Sequence, residues 1–332
     1  MKTHTNHIFL KIAIQLLAAA LIGAGLTILL SPKTAKSETT IEPPCDNPGW
    51  FPAEYGLKDH SVFWYDGYYY LVSINLPEEI DFAYARSADL CDWEDLKPIM
   101  GGRAPGAWDE FNIWAPFVFE DNGIYYMYYT GVTYDYTQSI MLATSSNPAD
   151  PTSWQSVGMV FQPEHDGMVW ETGDWANCRD ATIIKIADHY YMYYTGRDIT
   201  GGIIGIATAP SPYGPWQDWG AILTLDEQPS AMAESPTLAK YESLYYLFYN
   251  DTQNGQRYRI GATLAGPWSQ AYVLTPGWAH EIWLDQERST FTSYLTNYTV
   301  TIAPINWDAA FDPPLVYIGE NHYRVYLPGL MR

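Results

Sequence analysis

The chain has 332 residues, 47% of them apolar, enough for a substantial core in one large domain or two ordinary ones. Its 17 Lys and Arg stand against 38 Asp and Glu, a net charge of −21. That balance disfavours nucleic acid and anionic membrane surfaces as partners and favours a neutral ligand.

Residues 1–37 differ from the rest. Lys2 and Lys11 precede an apolar run over residues 12–30, followed by Pro32 and the small-residue site Ala35-Lys36-Ser37. This reads as an export signal. The run exceeds the ~7–15 residues usual for a cleaved signal and approaches the ~20 that span a bilayer, so both a cleaved signal and an uncleaved membrane anchor fit. In either case the remainder faces outward. Lys2, Lys11, Lys33 and Lys36 fall within this segment, leaving 13 basic against 38 acidic residues in the exported part. Residues 38–48, polar and proline-bearing, read as a linker. No second linker follows, so residues 49–332 are expected to form one domain.

That domain repeats. The runs D-G-Y-Y-Y-L-V from Asp66, N-G-I-Y-Y-M-Y-Y-T-G from Asn122, D-H-Y-Y-M-Y-Y-T-G from Asp188 and E-S-L-Y-Y-L-F-Y-N from Glu242 are four clear copies of one aromatic strand, with a weaker fifth, R-S-T-F-T-S-Y-L-T, from Arg288. Their first tyrosines, Tyr68, Tyr125, Tyr190 and Tyr245, are 57, 65 and 55 residues apart, a period that marks repeated supersecondary units. Each unit continues with a strand of small and apolar residues and a turn bearing Trp, and no amphipathic helix interrupts them after residue 37. An all-β fold, a five-bladed β-propeller, is predicted. Most of the 28 Tyr and 14 Trp then pack between blades. Trp114, Trp170, Trp175 and Trp278 lie outside the aromatic strands and are the better candidates for contact with a ligand.

In a propeller the innermost strands line a central channel, and their first residues meet at one mouth. Reading back about ten residues from each aromatic strand gives Asp59, the stretch Trp114-Ala115-Pro116, Asp180, Glu234 and His280. Three carboxylates at the heads of otherwise apolar strands suit acid and base chemistry. Burial among like charges raises one carboxyl pKa, while a neighbouring cation or hydrogen-bond donor lowers another. Glycosidic bond hydrolysis needs such a pair, and its cationic transition state suits an acidic site. Glu234 is expected to be the acid and Asp59 the base, with Asp180 beside Arg179 holding sugar hydroxyls and keeping Glu234 protonated. Asn112, His60 and Glu281 are further candidates for hydroxyl contacts. Asp109 and Glu110 sit at the rim, as a subsite or a solvated loop. Among the cysteines, which form neither a disulfide framework nor a metal site, Cys178 abuts Asp180, so Cys45 with Cys91 is the expected bridge.

Lys58-Asp59-His60-Ser61-Val62, Trp114-Ala115-Pro116, Arg179-Asp180, Glu234-Ser235-Pro236 and His280-Glu281 follow the order seen in glycoside hydrolase family 43 and its relatives, over roughly residues 50–310. The resemblance implies a five-bladed propeller that cleaves arabinofuranosides, xylosides and related linkages with inversion. It implies Asp59 as general base, Asp180 as pKa modulator and Glu234 as general acid. It further implies a role for His280 at a channel-bound metal, often calcium held through waters, with no cofactor required for the chemistry. The partner would be a carbohydrate and the protein a monomer. His60 stands where the family usually has proline, and Ser235 where it usually has glycine. Arg179-Asp180 equally resembles the Arg-Asp-Pro of the retaining, fructan-cleaving families 32 and 68, although Lys58-Asp59-His60 lacks their Asn-Asp-Pro. A propeller that binds glycans without turnover is the third reading, and a salt bridge occupying Asp59 or Glu234 would favour it.

Overall fold

Each of the four clear aromatic runs forms the second strand of a four-stranded antiparallel sheet, and a fifth sheet has five strands. The computed structural model describes residues 41–173, 177–225, 232–284, 289–308 and 311–319; the segment read as a signal or anchor, and Trp175, lie outside them. After a short strand β1 (Gly49–Trp50), the first blade comprises β2 (Leu57–Tyr65), β3 (Tyr68–Asn75), β4 (Phe82–Ser87) and β5 (Trp93–Asp95). The second comprises β6 (Asn112–Asp121), β7 (Ile124–Val132), β8 (Gln138–Ser145) and β9 (Gln155–Phe161). The third holds β10 (Cys178–Ile186), β11 (His189–Asp198), β12 (Gly201–Ala209) and β13 (Gln217–Thr224). The fourth holds β14 (Ala233–Tyr241), β15 (Leu244–Asp251), β16 (Gly255–Gly261) and β17 (Tyr272–Val273). The fifth is built from β18 (Trp278–Leu284), β19 (Thr290–Thr296) and β20 (Thr299–Asp308), with β21 (Leu315–Ile318) on the far part of β20. The fold is an all-β, five-bladed propeller.

Turn chemistry fixes the inner hairpins. Asp66-Gly67 and Asn122-Gly123 have positive φ at both central positions, the type I′ geometry that matches strand twist and that Asp-Gly and Asn-Gly favour. In the third blade the turn falls on Ala187-Asp188, and His189 already belongs to β11.

The tyrosines explain how the blades adhere. Tyr84, Tyr128, Tyr193 and Tyr246 are fully buried, and a buried phenol needs a partner for its hydroxyl. Each finds a main-chain carbonyl in the following blade or the connection beyond it: Tyr84 donates to Pro148 at 2.9 Å, Tyr128 to Pro212, Tyr193 to Leu264 at 3.0 Å and Tyr246 to Pro314 at 2.9 Å. Phenylalanine would fill the same wedge without that tie.

The ring closes through the chain's early residues. β1 pairs with β20, Gly49 opposite Thr301 and Trp50 opposite Val300, so the outer edge of the last blade comes from the segment before the first. Gly49 lies 2.2 Å, measured from a hypothetical Cβ, from the Val300 carbonyl, so only glycine permits this approach. Within residues 38–48, the described part is fastened to the propeller: Cys45 is disulfide-bonded to Cys91, and the Ile41 amide donates to Asn306 Oδ1 at 3.1 Å. Cys178 is a free, buried thiol.

Candidate active site

All five innermost strands break register at the same place. The irregularities lie between Lys58 and His60, Trp114 and Phe117, Arg179 and Thr182, Glu234 and Thr237, and Trp278 and Glu281. In each, one non-glycine residue takes a left-handed φ: Asp59 (33°), Ala115 (43°), Asp180 (58°), Ser235 (49°) and Ala279 (50°). A bulge of this kind bends the strand and re-aims its side chains. Repeated five times, it makes a ring of equivalent positions at the channel mouth. Asp59 and Asp180 occupy two of them. Glu234 stands one residue earlier, level with Lys58, Trp114, Arg179 and Trp278. The channel is lined from all five innermost strands and includes Asp59, His60, Asp180, Ser235, His280 and Glu281.

Arg179 links the acids. Its Nη2 donates to Glu234 Oε1 at 2.5 Å, and its Nε lies 3.7 Å from Asp180 Oδ2. Nη1 donates to Asn177 Oδ1 at 2.6 Å and Gln138 Oε1 at 3.3 Å. Asp180 Oδ2 also accepts from the Thr195 hydroxyl at 2.9 Å and the Ser235 amide at 3.0 Å, while the Asp180 amide donates to Thr130 Oγ1 at 3.2 Å. Thr130 and Thr195 are the threonines of the two Tyr-Tyr-Thr-Gly repeats. That repetition was a sequence signal for hydroxyls reaching the site, and it went unread.

Burial acts on both aspartates. Asp59 keeps one edge on the channel but is otherwise enclosed by protein; burial, reinforced by the charge of Asp180, pushes its pKa up to about 7, against the lowering effect of Lys58. Burial also raises Asp180, opposed by Arg179 and by the bonds from Ser235 and Thr195. Glu234 is held directly by the Arg179 guanidinium.

The other candidates separate into mouth and frame. Trp114 lies on the rim, its indole N–H donating to Glu79 Oε2 at 2.6 Å; Glu79 is 3.6 Å from Lys58 Nζ, which stands 5.9 Å from the Trp114 ring centre. Sequence reasoning missed Glu79, which the β3–β4 loop brings in. Asn112 is buried and donates its amide to the carbonyls of Glu78 and Glu79, so it holds that loop. His60 is buried in the channel wall, neutral because burial and neighbouring His280 lower its pKa to about 3. Neither of its ring nitrogens makes a hydrogen bond of good geometry, although the Ser293 carbonyl lies near enough to favour the charged ring.

Both ring nitrogens of His280 are engaged within the protein. Nδ1 pairs with the Thr292 hydroxyl at 2.8 Å and Nε2 with the Pro276 carbonyl at 2.9 Å, and the ring stacks on Tyr294. Among the described residues no three His, Cys, Asp or Glu side chains are grouped to hold an ion. Glu281 faces the frame as well: its carboxyl accepts from Ser61 Oγ at 2.7 Å and the Val62 amide at 2.8 Å, joining the fifth blade to the first. Ser61 Oγ in turn accepts from the Val118 amide of the second blade at 3.0 Å.

Comparison with known proteins sets this fold and its carboxylate-bearing mouth beside others. Residues 53–169 match the family model described as Glycosyl hydrolases family 43. Proteins described as probable arabinan endo-1,5-alpha-L-arabinosidase A, from Aspergillus flavus and Aspergillus oryzae, are each 25% identical over 208 residues, covering 61% of this chain. The match spans 60% of those relatives' length. Among solved structures, native Bacillus subtilis arabinanase superposes with a TM-score of 0.62 at 18% identity, covering 82% of this chain and 100% of that one. Sucrose-6-phosphate hydrolase from Lactobacillus gasseri gives 0.63 at 17% identity, covering 82% of this chain and 62% of that one. Over residues 53–169 the chain is similar to glycosyl hydrolases family 43, and its propeller fold is that of both structures.

Proposed function

We propose that the protein is a glycosidase that hydrolyses arabinose-type linkages of a neutral polysaccharide or oligosaccharide by inverting acid/base catalysis. The observation that carries this reading is the convergence of three acids from three blades: Asp180 and Glu234 both pair with Arg179, and Asp59 lies close enough to feel the charge of all three. The family match and the arabinanase relatives support the substrate class. Asp59 takes a proton from water as the water attacks the anomeric carbon. Glu234 delivers its proton to the leaving-group oxygen from Oε2, since Oε1 accepts from Arg179. Asp180 fixes Arg179 and contributes negative charge facing the developing oxocarbenium ion. The two catalytic carboxyls then exchange protons with solvent to reset.

The test is hydrolysis of linear arabinan and aryl arabinofuranosides, xylosides and fructans, with the product anomer followed by NMR. Glu234→Gln and Asp59→Asn are expected to abolish turnover with the fold intact, and full activity in either variant refutes the assignment. The Arg179–Glu234 ion pair favours a second reading, a glycan-binding propeller without turnover. Binding of arabinan by the wild type with no product from any substrate would establish it. Arg179-Asp180 and the likeness to the sucrose-6-phosphate hydrolase fold support a retaining fructan hydrolase as a third; retention at the anomeric carbon would identify that route.

We also propose that the protein is exported and acts as a monomer, through residues 1–37 as signal or anchor. The Cys45–Cys91 disulfide supports an oxidising compartment. Fractionation of the producing cell tests this, and accumulation in the cytosol overturns it.

A further inference from the structure

We propose that Phe111, Tyr134 and Tyr136 form an outlying subsite for the sugar rings of a polysaccharide chain running out from the mouth, an inference that rests on the glycosidase reading. The three rings make one cluster: Phe111 lies 5.2 Å from Tyr134 and 5.6 Å from Tyr136, centre to centre. Tyr134 is 68% exposed and Tyr136 43%, so this aromatic surface faces water instead of filling a wedge between blades.

Topology sets the cluster at the working end. Asn112 opens β6 opposite Val132, the last residue of β7, and the Phe111 amide donates to the Val132 carbonyl at 3.0 Å. The turn 133–137 therefore stands beside the same strand start that carries Trp114 to the rim. Trp114 is three residue steps of extended chain from Phe111, roughly 10 Å. A sugar chain leaving the channel over Trp114 meets Phe111 and the tyrosines next.

The turn is also preset. Thr133 and Tyr136 bond across it, the Thr137 carbonyl accepts from the Thr133 amide at 3.1 Å, and Asp135 Oδ1 accepts from the Thr137 hydroxyl at 2.9 Å. The Thr137 hydroxyl takes the Gly173 amide at 2.7 Å, tying the turn to the next loop. Rings held in place lose little freedom on binding, and sugar faces, being apolar on the C–H side, stack on them. Two other exposed aromatics, Trp219 and Tyr213, lack this setting. Trp219 lies on the outer strand β13 with its indole N–H bonded to Thr208, and Tyr213 packs on Tyr126. The strong negative charge of the chain selects a neutral polymer over an acidic one.

The experiment compares linear arabinan with an aryl arabinofuranoside in wild type, Tyr134→Ala, Tyr134→Phe and Tyr134→Ala/Tyr136→Ala. Loss of one stacking ring is expected to raise KM for arabinan roughly two- to tenfold, with Tyr134→Phe near wild type and the aryl substrate unaffected in every variant. An unchanged KM for arabinan, or equal losses on both substrates, overturns the proposal. Should the wild type hydrolyse neither substrate, the glycosidase reading fails by itself, and titration with arabinan decides the subsite. Weaker binding by Tyr134→Ala then supports it, and equal or absent binding in both proteins refutes it.

Discussion

The guanidinium of Arg179 joins acids from two blades, with Nη2 2.5 Å from Glu234 Oε1 and Nε 3.7 Å from Asp180 Oδ2. Its remaining bonds to Asn177 and Gln138 fix it even if Glu234 lets go. Arg179→Ala is therefore expected to lower kcat/KM about ten- to hundredfold, the scale of a charge-assisted hydrogen bond. Arg179 lowers the pKa of both Asp59 and Asp180, so its removal should also move the acidic limb of the pH profile upward. A loss of rate with an unmoved limb would mean that Arg179 only shapes the site.

Asp59 supplies a second pH prediction. With its pKa near 7, the base is protonated below that value and free above it, so kcat/KM should rise with pH through about 7. Lys58 opposes the shift, and Lys58→Met should carry the limb higher. Steady-state profiles of the two proteins decide the matter, a shift to lower pH being the contrary result.

Glu281 links stability to pH. Burial raises its carboxyl to about 8 against the lowering effect of Ser61 and Val62. A pKa raised on folding means that its contribution is fully present below the unfolded value near 4.5 and is lost as pH rises through about 8. Asp59 acts in the same direction, up to about 7. Glu281→Gln can still accept from Val62 and donate to Ser61, so it should fold and show a flatter decline between pH 5 and 9 in urea melts, whereas Glu281→Ala should be destabilised at every pH by about 1–3 kcal/mol.

The inter-blade phenols offer a test of stability alone. Tyr246→Phe or Tyr193→Phe removes a hydroxyl but leaves the Pro314 or Leu264 carbonyl without its donor, an expected cost of about 1 kcal/mol each. Equilibrium unfolding should register the loss while kcat/KM stays constant, and a selective loss of activity would contradict a purely structural role.

The fold was legible because its strands repeat: the aromatic second strand recurs with a period set by blade size, and the acids could be located by counting back from it. What counting could not show was orientation. Asn112 lies two residues from Trp114, yet it turns to the carbonyls of Glu78 and Glu79. His280 and Glu281 were read as facing a metal and sugar hydroxyls, and both also spend polar atoms on the frame. Glu79 reaches Trp114 and Lys58 from a loop with no repeat to mark it, and loops are where sequence carries least signal.

Ala115 and Ala279 hold the same left-handed backbone as Asp59 and Asp180 while presenting only a methyl group to the mouth. The propeller thus offers five equivalent sockets, of which two are filled by aspartate and a third by Ser235. Left-handed geometry suits Asp and Asn better than Ala, so Ala115→Asn and Ala279→Asn are grafting points where a sugar-binding amide could be added without rebuilding the chain. The scaffold can in this sense acquire new substrate contacts one blade at a time, with the neighbouring acids left in place.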